Sequence, residues 1–209
     1  ENPIFPGQTL VLSYQEEEKL GPLLVNGYAY PYVDKELLRA TLPYLSALTP
    51  FTYGFTPQGE LVPLEDEALL SMAAEGGAAG LMHLSTLTEE GGFSNELGHI
   101  ALTDSQVQDT LVRNLLRTLL QKGYQGLDVD FEYIPAQDAA AYAAFIRRLS
   151  RRLNPLGRPV IVALAPKTSR EQAGLLYEGH SYGLIGAAAN GVLLMTYEWG
   201  YAYGPPMAV

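Results

Sequence analysis

The chain has 209 residues and no cysteine, and its 13 Lys and Arg against 23 Asp and Glu give a formal charge of −10. Without cysteine, disulfides and thiol catalysis are excluded. The acidic balance argues against nucleic acid as a partner, because phosphates require a basic surface. No apolar run reaches the roughly 18 residues that cross a bilayer, so we expect no membrane span. With 47 % hydrophobic residues the chain has enough apolar side chains for one folded core.

Apolar, β-prone runs alternate with helical patterns along the chain. The predicted strands cover residues 23–30, 51–55, 79–85, 126–132, 159–165 and 191–197. Predicted helices follow the capping residue Asp34 and cover 65–75, 104–122, 137–153 and, with a break, 175–186. Residues 86–103 are polar and Gly-rich and predict a long loop at the rim of a site. Six strands that alternate with helices predict an α/β fold with a parallel sheet.

The strand at 126–132 carries an acidic pattern. Asp128, Asp130 and Glu132 alternate with three apolar residues, so the period of two places all three acids on one face. Crowded carboxylates repel one another and lose hydration, which holds one of them protonated and suits a general acid. Two other interpretations remain: a solvated edge strand, or a site of hard oxygen ligands for a divalent cation.

Two stretches resemble a known family. Residues 124–132 (YQGLDVDFE) resemble the D-G-x-D-x-D-x-E motif of glycoside hydrolase family 18, the chitinase-like enzymes, with Gln125 in place of the first Asp. Residues 195–201 (MTYEWGY) resemble the family's M-x-Y-D motif, with Glu198 in place of Asp. The runs at 160–167 and 204–208 are similar to the spore-cortex-lytic N-acetylglucosaminidases of spore-forming bacteria.

The resemblance implies an α/β fold of the (β/α)8 TIM-barrel type. Such a barrel takes about 250 residues, so we expect a barrel truncated after strand 6, with residues 13–209 forming an incomplete catalytic domain. Residues 1–12 include the run NPIFPGQTL, which resembles the end of a LysM peptidoglycan-binding repeat. A plain N-terminal linker is the alternative for this segment.

The resemblance also implies a mechanism in which the substrate's own N-acetyl group attacks the anomeric carbon. Glu132 then protonates the leaving oxygen and later activates water. Asp130 binds the acetamide N–H, and Asp128 shares a proton with Asp130. Tyr197 donates its hydroxyl to the acetamide oxygen, and Glu198 contacts the sugar. Neither a cofactor nor a metal is expected.

Aromatic residues at predicted strand ends are candidates for contact with sugar rings, whose C–H faces pack on flat π surfaces. They are Tyr28, Tyr53, Tyr133 and Trp199. Packing in the core or at the rim is the alternative for each. His83, on the third predicted strand, fits a buried core histidine better than a catalyst.

The expected function is hydrolysis of β-1,4 bonds next to N-acetylglucosamine in the peptidoglycan of the spore cortex, by an extracellular, cell-wall or spore-associated enzyme. The alternatives are a chitinase that acts on chitin oligomers and a carbohydrate-binding protein without activity. Either way, the expected partner is a peptidoglycan-type or chitin-type glycan.

Overall fold

The computed structural model describes residues 21–197. Six parallel strands form one sheet in the sequential order β1-β2-β3-β4-β5-β6. Their bounds are β1 Asn26–Ala29, β2 Ala47–Pro50, β3 Ala79–Ser85, β4 Gly126–Asp130, β5 Val160–Leu164 and β6 Gly191–Leu194. The α-helices are α1 Lys35–Thr41, α2 Glu67–Glu75, α3 Asn95–Thr103, α4 Ser105–Gln121, α5 Ala139–Leu153 and α6 Tyr182–Gly186. The predicted α/β class and parallel sheet are confirmed for this part of the chain.

Helix starts follow local capping chemistry. The Asp34 carboxylate accepts from the backbone N–H of Glu36 and Leu37, both at 2.8 Å, at the start of α1. Asp104 caps α4 in the same way, and the hydroxyl of Ser94 caps α3. Each cap satisfies backbone donors that the first helical turn leaves open.

The core lies between the sheet and the helices that cover it. The apolar face of β4 packs into a buried cluster with α4 and α5. In this cluster the ring of Phe131 stacks on Phe55, Tyr142 and Phe145 at centroid distances of 5.6, 5.7 and 5.6 Å. Every residue of β4 is buried, because β3 and β5 flank it on both sides. The acids of β4 therefore lie at the centre of the sheet, which excludes the alternative interpretation of a solvated edge strand.

The second strand differs from its prediction. β2 ends at Pro50, and residues 51–55 contribute only isolated bridges, from Tyr53 to Leu84 and from Phe55 to Leu61. The leucine spacing of α1 continues past Pro43 and predicted a longer helix there. Proline lacks a backbone N–H and interrupts the α-helix, so a short 3-10 turn, Leu42–Tyr44, follows and leads into the strand.

The segment 86–103 is also more ordered than predicted, since its second half forms α3. By contrast, the helix expected over 175–186 is reduced to the five residues of α6. β4 and β6 end two and three residues earlier than expected. Glu132 and Tyr197 therefore follow strands and do not lie within them. The LysM-like run at 1–12 and the pair Glu198 and Trp199 lie outside the described residues.

Within residues 21–197, no helix combines the length and apolar character that a bilayer crossing requires.

Candidate active site

Beside the acids of β4, on the inner side of the sheet, lies a cavity of about 380 Å³. Tyr28 of β1, His83 of β3 and Asp130 line it, together with Tyr197 beyond β6. The register explains this convergence, since His83 pairs with Asp128 and Ser85 with Asp130 in the parallel ladder. Side chains two residues apart share a face, so β3 and β4 each place two polar groups on the same side.

Asp128 lies deepest of the acids and is fully buried. The hydroxyl of Tyr28 donates to its Oδ2 atom at 2.5 Å, whereas its Oδ1 atom has no hydrogen-bond partner in the described part of the chain. Burial raises the pKa of Asp128 to about 6, although the hydrogen bond from Tyr28 acts in the opposite direction. The same burial, with the charge of Asp128, raises the pKa of the Tyr28 hydroxyl, so Tyr28 stays a donor.

Asp130 lies one strand step closer to the cavity and is only 6 % exposed. Burial raises its pKa to about 7, and the nearby charges of Glu132 and Asp128 act in the same direction. Its Oδ1 atom lacks a hydrogen-bond partner among the described residues. Because two adjacent carboxyls both have raised pKa values, the pair keeps a proton close to neutral pH.

His83 contacts this pair from β3. Its Nε2 atom lies 3.7 Å from Asp130 Oδ2, and its Nδ1 atom lies 2.6 Å from the Thr52 hydroxyl. The ring is 1 % exposed, and burial lowers its pKa to about 3. The imidazole is therefore neutral at any pH where the acids titrate. The prediction of a buried histidine is right, but its surroundings are polar on one edge.

Glu132 and Tyr133 directly follow the strand. Glu132 is half-buried, and its charge raises the pKa of Asp130, so it belongs to the same electrostatic site. Tyr133 has a positive φ of 55° and is 39 % exposed. Tyr197 is 69 % exposed at the cavity. Glu132 is thus the most accessible of the three acids, which suits transfer of a proton to a bound molecule.

Tyr53 does not lie in this site, and its prediction as a sugar contact is wrong. Its ring is 2 % exposed, and its hydroxyl donates at 2.5 Å to the buried carboxylate of Asp66. Asp66 also accepts from the Tyr124 hydroxyl and from the Lys122 ammonium group at 2.5 Å. Position 53 lies one residue after Thr52, whose hydroxyl meets His83, so alternation turns the tyrosine into the core.

Tyr28 is in the site, at its wall, but as a hydrogen-bond donor to Asp128. Its ring is 39 % exposed, which leaves part of it accessible from the cavity.

Sequence reasoning missed Thr52 and Ser85. The Thr52 hydroxyl lies 2.6 Å from His83 Nδ1 and 3.0 Å from Ser85 Oγ. A signal was present in β3, whose sequence AGLMHLS carries two polar residues two positions apart in an apolar strand. The same spacing in β4 gave the acids.

The other two histidines lie outside the cavity, and each has a partner. His180 is fully buried; its Nδ1 atom accepts from the backbone N–H of Ala165 at 2.9 Å, so Nε2 carries the proton and donates to the Phe131 carbonyl at 2.9 Å. His99 pairs with Asp138 at 2.7 Å.

No group of three or more His, Asp or Glu side chains in residues 21–197 is arranged to hold a metal ion.

Known proteins resemble this chain in sequence and in fold. No family model matches the chain. The chain is 38 % identical over 177 residues to a cortical fragment-lytic enzyme of Bacillus subtilis. The matched stretch covers 84 % of this chain and 40 % of the relative. The spore cortex-lytic enzyme SleL of Bacillus cereus superposes with a TM-score of 0.81 at 31 % identity, over 89 % of this chain and 44 % of that one.

A chitinase from Chromobacterium violaceum superposes with a TM-score of 0.80 at 22 % identity, over 88 % of this chain and 59 % of the chitinase, which shows a shared fold. The chain spans about two fifths of the length of the curated relatives it matches. Over that span, the chain is homologous to the cortical fragment-lytic enzymes and has the fold of chitinases.

Proposed function

We propose that the protein hydrolyses β-1,4 glycosidic bonds next to N-acetylglucosamine in bacterial peptidoglycan, by the substrate-assisted, retaining mechanism of glycoside hydrolase family 18. The observation that carries the proposal is the row of three acids on and after β4, two of them buried with raised pKa values. A family 18 enzyme needs such a row, because one acid must hold a proton near neutral pH while the others stabilise positive charge.

The proposed steps use each acid differently. Glu132 protonates the leaving oxygen, as the most accessible of the three, and then takes a proton from water. Asp130 accepts the acetamide N–H and stabilises the positive charge as the acetamide oxygen attacks the anomeric carbon. Asp128, held by Tyr28, shares a proton with Asp130. Tyr197, at the same cavity, donates to the acetamide oxygen and helps to fix the attacking geometry.

Two further proposals concern sugar binding and the whole protein. Tyr28, Tyr133, Glu198 and Trp199 are proposed to contact the sugar. We propose that the whole protein forms an eight-stranded barrel, of which the described sheet supplies β1 to β6. The Bacillus relatives are named for lysis of cortical fragments, which supports the spore cortex as the substrate and action at the spore as the location. A LysM-like segment at 1–12 would add a second contact with peptidoglycan.

The test is Glu132→Gln in the full-length protein, assayed by release of reducing ends from purified cortex fragments. Loss of the general acid lowers the rate about 10²- to 10⁴-fold, while sedimentation with the glycan is unchanged. Glu90→Gln is the matched control, since Glu90 is exposed in the loop after β3. A Glu132→Gln variant that hydrolyses at the wild-type rate would contradict the proposal.

Two measurements separate the finer parts of the proposal. NMR of the first product should show the β-anomer, and an initial α-anomer would exclude a retaining mechanism. Chitin oligomers and cortex fragments are compared at equal concentration of cleavable bonds. Faster cleavage of chitin would replace the peptidoglycan assignment by a chitinase and leave the acid mechanism in place. Glycan binding without any cleavage by the wild-type protein would favour a carbohydrate-binding role.

A further inference from the structure

His83 is the one buried titratable group among the described cavity residues that the proposed mechanism does not use. Its ring is fixed in place on three sides. Tyr28 meets it edge-on at a centroid distance of 5.4 Å, and Phe51 packs on it at 4.7 Å. The Thr52 hydroxyl lies 2.6 Å from Nδ1. A ring held in this way does not turn over, so the only freedom left to it is the choice of the nitrogen that carries the proton.

The two nitrogens have different surroundings. Nδ1 meets a hydroxyl that donates or accepts, because the Thr52 oxygen also lies 3.0 Å from Ser85 Oγ and 3.3 Å from the Tyr53 carbonyl. Within residues 21–197, Nε2 has no hydrogen-bond partner, and it faces Asp130 Oδ2 across 3.7 Å. If the Asp130 side chain rotates so that Oδ2 moves by about 0.8 Å, the distance between Oδ2 and Nε2 falls to hydrogen-bond length, about 2.9 Å.

We propose that His83 is a neutral positioning residue for Asp130, whose imidazole changes tautomer when Asp130 gains or loses its proton. When Asp130 is ionised, Nε2–H donates to the carboxylate and the Thr52 hydroxyl donates to Nδ1. When Asp130 is protonated, the acid donates to bare Nε2, Nδ1–H donates to Thr52, and the Thr52 hydroxyl turns to Ser85. The ring holds one N–H proton in both states, and the proton of Asp130 is exchanged with water or with the substrate.

This arrangement solves a problem of burial. A carboxyl that changes its protonation state away from water needs a partner that is a donor in one state and an acceptor in the other, and an unmet buried group costs about 1–3 kcal/mol. A lysine or an arginine is only a donor. Neutral imidazole is both, and burial keeps it neutral here, with its pKa lowered to about 3. The mechanistic consequence, easier proton movement within the acid pair, rests on the proposed function.

Other titratable groups face the same spot and contribute to any pH dependence there. They are Tyr28 on β1, Asp128 on β4, Glu132 after β4, Tyr142 on α5 and Tyr197 beyond β6. The tyrosines at 28 and 142 have pKa values raised by burial, so both hydroxyls keep their protons while Asp130 titrates. Asp128 titrates in the same range and the charge of Glu132 acts on Asp130, so the Asp130 carboxyl itself has to be followed.

The test is ¹⁵N NMR of the histidine rings in the 209-residue chain, from pH 4.5 to 8.5, with the Asp130 carboxyl followed by ¹³C. The chain has three histidines, and His180 is an internal reference for a fixed Nε2–H tautomer. We expect His83 to stay neutral and to pass from Nδ1–H to Nε2–H with rising pH. The midpoint should coincide with that of the Asp130 carboxyl.

Two variants sharpen the result. Asp130→Asn should remove the pH dependence of the His83 tautomer. Thr49→Val is the control for a buried substitution that spares this network. Thr49 is a buried threonine of β2 whose hydroxyl donates to Asn26 and not to His83, so the transition should be unchanged. If Asp130→Asn does not fold, the coincidence of the two wild-type midpoints decides.

Three results would overturn the proposal: a tautomer that does not change with pH, formation of imidazolium in this range, or a transition that persists in Asp130→Asn. The measurement requires no turnover. A failure of the hydrolase assignment, seen in the Glu132→Gln assay, would therefore be distinguishable from a failure of this inference.

Discussion

The hydrogen bond from Tyr28 to Asp128 gives a sharp test of how burial controls the acids. Tyr28→Phe removes only the hydroxyl, so Asp128 loses the donor to Oδ2 while its Oδ1 atom already lacks one. The ionised carboxylate is then buried without a hydrogen bond from this side. Because loss of the hydrogen bond destabilises the charged carboxylate more than the neutral carboxyl, the variant should favour the protonated form of Asp128.

The magnitude follows from the strength of such bonds. A hydrogen bond to a charged group contributes about 1.5–3 kcal/mol, and 1.36 kcal/mol corresponds to one pH unit of pKa. We therefore expect Tyr28→Phe to raise the pKa of Asp128 by a further 1 to 2 pH units, above the present value of about 6.

The sign of the stability effect follows by linkage. In the unfolded chain the pKa of an aspartate is about 3.9, so a raised folded value means that the native state binds more protons between these limits. The free energy of unfolding then falls as the pH rises from about 4 through the folded pKa. In Tyr28→Phe the fall continues to higher pH. The variant should lose about 1–3 kcal/mol more at pH 8.5 than at pH 4.5.

The assay is urea denaturation of wild type and variant at both pH values, with the free energy extrapolated to zero urea. Tyr32→Phe is the control, since Tyr32 lies in the same stretch of chain but is 79 % exposed. Equal destabilisation by Tyr28→Phe at the two pH values would refute the argument that burial of a charge governs this site. So would a pH-dependent loss in Tyr32→Phe.

Two further predictions concern the fold around the site. Asp66→Asn should lower the free energy of unfolding by about 3–5 kcal/mol, because the buried carboxylate accepts three hydrogen bonds. Glu67→Gln is the control and should change stability little, because Glu67 also pairs with Lys122 but is 72 % exposed. Equal urea midpoints for the two variants would contradict this. Gly179→Ala should lower the free energy of unfolding by about 1–3 kcal/mol, because a Cβ there would lie 2.1 Å from the Ile134 carbonyl oxygen. Gly183→Ala is the control and should not destabilise the protein, because a Cβ at that position meets nothing within 4 Å. A similar thermal midpoint for both variants would rule out the packing argument.

Local periodicity predicted much of what positions the site. The helix α4 and the strand β3 lie within one residue of their predicted bounds, because each carries an uninterrupted hydrophobic pattern. The alternation of polar and apolar residues in β4 was by itself sufficient to place Asp128 and Asp130 on one face. These features depend on neighbours in sequence, which a single chain displays.

The errors arose where long-range contacts decide. Tyr53 was expected beside the sugar, but its hydroxyl meets Asp66, whose other partners, Tyr124 and Lys122, are more than fifty residues away. Likewise, no local pattern pairs Thr52 with His83, 31 residues further on. β2 was displaced because the leucine spacing of α1 continues across Pro43, and only the sheet determines which of those leucines lie in the strand.

The acidity of the site is a property of the sheet more than of the acids themselves. Asp128 and Asp130 have raised pKa values because β3 and β5 cover β4 on both edges and α4 and α5 close its other face. The strand that carries these acids must be central, since an edge strand would leave them hydrated and ionised at neutral pH. The fold therefore supplies the desolvation that raises both pKa values. The hydrogen bond from Tyr28 limits the rise at Asp128, and the charge of Glu132 adds to the rise at Asp130. Two identical side chains on one strand thus acquire different proton affinities from their neighbours alone.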